Sequence, residues 1–103
     1  MNIKQGETFS LTGQYLDDDG ITPKSLAGVI LKSQIRDKYS VFVVNLEITI
    51  TNEPLGTYTI TAPLGTASWQ VGQHYWDIKE IVGGVTRLTD THIITVTRAE
   101  TLI

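Results

Sequence analysis

Three groups of residues carry the side chains from which chemistry is commonly built. The first is the acidic run Asp17-Asp18-Asp19-Gly20. A calcium loop needs about six oxygen ligands on alternating positions, usually closed by a bidentate glutamate. Three consecutive carboxylates point apart and no glutamate follows at a closing distance. The run therefore reads as a hairpin turn, for which Asp and Gly suffice. The second group is the two histidines, His74 and His92, each on the apolar side of an alternating segment, beside Trp76 or Ile94. On neighbouring strands they could approach, but two imidazoles without an adjoining carboxylate or thiolate make half a zinc site. Each reads instead as a core or rim imidazole bonded to backbone. A Ser-His-Asp arrangement through His74 and Asp77 fails, because residues three apart on a strand face opposite sides. No serine sits on a nucleophile elbow, and Glu47, Glu53 and Glu80 form no recognisable acid–base pair.

The third group is aromatic. Tyr15, Tyr39, Tyr58, Tyr75, Trp69 and Trp76 could stack on a sugar ring, but most fall on inward positions. Tyr39, in a turn, and Tyr75, on the face opposite Trp76, are the surface candidates. Gly6 and the pair Gly83-Gly84 stand alone, so no phosphate-cradling loop is present. No catalytic residue, metal ligand or cofactor site is assigned, and the chain is expected not to be an enzyme.

The elements that hold these residues follow from composition and rhythm. Fifteen Thr, 12 Ile and 8 Val against four Ala favour strands, because branching at Cβ fits a pleated surface better than a helix turn. A length of 103 residues gives one domain, 1–103. With no cysteine there is neither a disulfide frame nor thiol chemistry. Eight Lys and Arg against 11 Asp and Glu leave a net charge of −3, which argues against a nucleic-acid partner drawn by clustered cations. No apolar run approaches the roughly 20 residues of a membrane helix, and Met1–Glu7 lacks the apolar stretch of a signal peptide.

Alternation predicts strands over Thr8–Leu16, Val29–Arg36, Val41–Ile50, Thr57–Ala62 and His74–Val82, with a last stretch Val85–Thr97 interrupted at Thr89-Asp90-Thr91. Gly13 takes an inward slot and marks a bulge or a close approach by another backbone. The run Phe42, Val44, Leu46, Ile48, Ile50 is the strongest period of two. Pro63–Gln70 is the one place for a short helical turn, dropping Leu64 and Trp69 onto the core. Leu26 is expected to tuck under a sheet edge. Gly83-Gly84 reads as a two-residue hairpin. The expected architecture is an antiparallel β-sandwich of about seven strands, of Ig-like or Greek-key type, with a small closed barrel as the alternative. The termini, Met1–Glu7 and the tail Arg98–Ile103, lie outside the strongest core pattern. Leu102 and Ile103 end the chain with an apolar pair suited to docking on a partner.

The order Ile3-Lys4-Gln5-Gly6-Glu7-Thr8-Phe9, the Asp17–Gly20 turn, Ser25-Leu26-Ala27-Gly28 and Ser33-Gln34-Ile35-Arg36 forms a recognisable series. Gly56-Thr57-Tyr58-Thr59-Ile60, Trp76-Asp77-Ile78 and Thr86-Arg87-Leu88 continue it. This series resembles the small β-sandwich proteins of bacteriophage tails and is similar to the N-terminal domain of phage baseplate upper proteins. The resemblance implies a structural part of the virion, located there and assembled in the host cytoplasm. Its partners would be other tail, baseplate or fibre proteins, met in multiple copies of a symmetric assembly, with no cofactor, nucleic acid or membrane. Leu102, Ile103, Tyr39 and Tyr75 would be the partner-binding residues. A carbohydrate-binding sandwich that aids host adsorption, or a capsid decoration protein, is the alternative.

Overall fold

The computed structural model describes residues 1–101, so Leu102 and Ile103, and the docking role expected of them, lie outside the described residues. Eight strands form: β1 Asn2–Lys4, β2 Ser10–Gln14, β3 Val29–Asp37, β4 Phe42–Asn52, β5 Thr57–Thr61, β6 Gly72–Val82, β7 Val85–Leu88 and β8 His92–Thr97. No helix forms among the described residues. Pro63–Gln70 is a pair of turns in which Trp69 is buried, but Leu64 is 86% exposed rather than packed inward.

The strands make one curled sheet in the order β1-β8-β6-β3-β4-β5-β2, with β7 beside the second half of β6. β7 and β8 run end to end along β6, and the expected break at Thr89-Asp90-Thr91 divides them. All pairs are antiparallel except β1 and β8, which are parallel (Asn2 opposite Thr95). The sheet is therefore mixed, with eight strands rather than about seven.

β4 makes the curl. Its first half pairs with β3 up to Leu46, and its second half pairs with β5 from Glu47 onward, so one strand serves both halves of the sheet. Two irregularities bend it. Val43 has no partner between Phe42 and Val44, and Thr51 has none between Ile50 and Asn52. A residue inserted in this way raises local twist. Val44, Leu46 and Ile48 face the core, whereas Phe42 and Ile50, at the ends of the expected five-residue alternation, are exposed.

The core holds Ile3, Phe9, Ile35, Leu46, Ile60, Trp69, Trp76, Ile78, Ile94 and Val96. Phe9 lies against both tryptophans, tilted on Trp69 at 5.8 Å and edge-on to Trp76 at 6.2 Å. Leu26 is buried, as its setting implied. The termini are more tightly held than the alternation suggested, since Ile3 belongs to the core and Ala99 is buried. Thr66 fastens the first segment: its Oγ1 donates to the Glu7 carbonyl at 2.6 Å and accepts from Gly6 N–H at 3.0 Å. The Gln5 amide donates to the Trp69 carbonyl at 2.7 Å in the same joint.

Candidate functional site: an unguarded strand edge beside an apolar slot

The acidic run spends its carboxylates on its own turn. Asp19 accepts from the N–H groups of Ile21 and Thr22, both at 2.8 Å, and from the Thr22 hydroxyl at 2.5 Å. These bonds hold its pKa below the ordinary value of 3.8, the hydroxyl contributing most. Asp17 accepts from the Asp18 N–H. The histidines do lie on neighbouring strands and on one face, since His74 is opposite Ile94 and Trp76 opposite His92. Each meets a different tryptophan, His74 on Trp69 at 6.2 Å and His92 on Trp76 at 4.6 Å. The His74 Nδ1 is bonded to the Gly72 carbonyl. Among the described residues no three His, Cys, Asp or Glu side chains converge to hold a metal ion.

Tyr75 crosses from Arg36 to Ile93 on the outer face and lines a groove of about 480 Å³ with Gln34, Arg36, Asp77 and Thr91. Arg36 is engaged by neutral acceptors there, the Ser40 carbonyl at 2.9 Å and the Gln34 amide oxygen at 3.2 Å. Tyr39 stands at the β3–β4 turn, 75% exposed, with the Lys38 ammonium 5.2 Å from its ring centre. The fold thus puts Tyr39 and Tyr75 near one end of β3 without aiming them at a common enclosed pocket.

The feature most ready to bind is an edge. β2 ends the sheet, pairing only with β5. Its flanks show which way its backbone points. The Phe9 carbonyl accepts from Ala62 N–H, and Tyr15 N–H donates to the Gly56 carbonyl. Both are odd-numbered positions, so by antiparallel alternation the odd residues turn their N–H and C=O groups toward β5. The backbone groups of Ser10, Thr12 and Gln14 point to the open side. Such unpaired groups are a template for another strand, and proteins commonly block them with charge, proline or a bulge. Other open stretches here carry such a guard: Lys4 on β1, Lys32 on the first part of β3, Arg87 on β7 and the bulge at Val43 on β4. Ser10-Leu11-Thr12-Gly13-Gln14 carries none and keeps an unbroken register.

Beside this edge lies a slot of about 510 Å³. Leu11, Tyr58, Ile60, Trp76 and Ile78 line it, and Met1, His92 and Ile93 form its far lip. The Tyr58 ring covers Gly13 so closely that a Cβ there would meet it at 2.5 Å. Gly13 thus marks a close approach not by another backbone, as expected, but by a side chain from the neighbouring strand, and no bulge forms there. Burial, and secondarily the charge of Glu80, raises the Tyr58 pKa above 10.0. Trp76 is 8% exposed, and its Nε1–H is the one buried side-chain donor or acceptor without a partner among the described residues. Sequence reasoning missed this site, because alternation identifies a strand and not its place at the rim of a sheet.

No family model matches this chain, and no curated protein matches it. Among solved structures it is similar to CopC from Methylosinus trichosporium OB3b, with a TM-score of 0.59 and 15% identity over 99% of this chain and 87% of that one. At that identity the likeness is one of fold. It overturns the phage resemblance, because the matching structure is not a phage baseplate protein or a virion component. The virion role, the glycan-adsorption and capsid alternatives attached to it, and the virion location fall with it. The phage resemblance rests on turns and core positions, which unrelated β-rich folds share for the same physical reasons.

Proposed function

We propose that the chain is a non-enzymatic binding module that captures an extended segment of a protein partner along β2. This reading takes the curled sheet as an Ig-like sandwich whose open side is the acceptor. The observation that carries it is the uncharged, regular edge at Ser10, Thr12 and Gln14, with backbone groups directed outward. A partner strand laid there gains main-chain hydrogen bonds, and its alternate side chains meet the slot.

The test is selection from a display library of random peptides on the wild-type chain and on Thr12→Pro. Proline at position 12 removes an outward N–H while leaving the β5 side its odd-numbered bonds. Enrichment of peptides that alternate apolar and polar residues, lost on T12P, is expected. Peptides that bind both proteins equally would overturn the reading, as would measured turnover of any substrate.

A further inference from the structure

The β2 edge is complementary to itself. Placed antiparallel against a second copy about a two-fold axis at Thr12, it sets Ser10 opposite Gln14 of the other copy, Thr12 opposite Thr12, and Leu11 opposite Gly13. The outward-bonding positions are the even ones, so Ser10–Gln14, Thr12–Thr12 and Gln14–Ser10 all become hydrogen-bonded pairs. Each such pair exchanges two backbone bonds, and every open group of the edge is then used. Side-chain sizes match as well. Leu11, half-buried, falls opposite a glycine whose space is filled by its own Tyr58 ring, so a leucine meets an aromatic face where two large side chains would collide. No charge lies on the strand itself, and the acidic residues Glu7 and Asp17–Asp19 flank its two ends. Polar cross-strand pairs such as Thr–Thr are favourable in antiparallel sheets.

We infer that the occupant of the β2 edge is a second copy of this chain, giving a two-fold dimer with one sheet running continuously through both copies. The inference rests on the edge reading proposed above and names its partner. Five residues a side fall well below the roughly 20–30 of a standard specific interface, so the contact is a weak one. The dimer therefore forms and dissociates rapidly, and its population rises with protein concentration.

Because the chain has no cysteine, single-cysteine variants can map the axis. Opposed residues of a hydrogen-bonded antiparallel pair have Cα atoms about 5.5 Å apart, inside the range a disulfide spans. On mild oxidation Thr12→Cys should yield a covalent dimer. Ser10→Cys and Gln14→Cys should each stay monomeric alone and should cross-link when mixed. Sedimentation equilibrium of the wild-type chain should show a dimer at high concentration that is absent in Thr12→Lys, with circular dichroism verifying that the variant is folded. Equal cross-linking of all three cysteine variants, or none, would overturn the second-copy inference. If T12C stays monomeric while peptides still bind in a T12P-sensitive way, the inference falls and the edge reading stands. Peptide binding indifferent to T12P removes that reading instead.

Discussion

Thr66 shows how much a single hydroxyl carries in a chain of this size. It is buried and bonded on both sides, to the Glu7 carbonyl and the Gly6 N–H. Thr66→Val keeps the shape and strands both backbone groups, so urea denaturation should show a loss of about 2–6 kcal/mol, at 1–3 kcal/mol for each unsatisfied group. Thr66→Ser should recover most of it. Ser40 presents the opposite case. It sits at φ 63°, a left-handed conformation that glycine adopts freely, in the turn where Asp37 Oδ1 accepts from Tyr39 and Val41 N–H. Ser40→Gly should raise stability by about 1 kcal/mol, the usual cost of that conformation for an L residue, read from the denaturation midpoint. Asp19 supplies a pH signature. Its folded pKa is depressed, so its contribution is present above pH 3.8 and is lost as pH falls through the lower folded value. Carboxyl NMR should show Asp19 titrating below its unfolded value, and Thr22→Val should bring the titration back toward it.

At the level of elements, the glycine–tyrosine pair that joins β2 to β5 is the most sensitive seam. Gly13→Ala places a methyl 2.5 Å from the Tyr58 ring and should cost about 1–3 kcal/mol, the range for overpacking. In a Tyr58→Val background the same substitution should cost markedly less. A double-mutant cycle by chemical denaturation measures the difference. The elements also show what the chain's pattern could convey. The Val29, Leu31, Ile35 alternation, the Gly83-Gly84 hairpin, with both φ positive at 54° and 81°, and the inward trio His74, Trp76, Ile78 were all legible, because each is a local rule of period or turn chemistry. The division of β4 was not. Val44, Leu46 and Ile48 alternate straight through the point at Leu46–Glu47 where the strand changes neighbours. Side-chain rhythm reports a strand's faces and is silent about which strand lies on either flank. Leu64 was misplaced for a related reason, since a turn without periodicity gives no signal of direction.

At the scale of the whole molecule, the candidate site is a product of topology. Ser10, Thr12 and Gln14 are unremarkable polar residues, and their importance comes only from β2 ending the sheet. The alternation marks β2 as a strand and gives no sign that it ends the sheet. β1 does run along an edge, but it carries Lys4 and contributes Ile3 to the core, leaving β2 as the open edge without a guard. The surface tyrosines were located correctly as to face, Tyr39 in its turn and Tyr75 opposite Trp76, yet no residue pattern could bring them to the slot, which lies on the other side of the β6 sheet. The likeness to CopC, at 15% identity, is one of fold.

The parallel joining of β1 to β8 sets Asn2 beside Thr95. β1 has no partner until β8 is made, so this pairing must wait until synthesis has passed Thr97. Pairing so distant in sequence also slows folding into the range of milliseconds to seconds. During that interval β2 can already zip onto β5, across a shorter span, so its outer backbone groups stand open before the core is sealed.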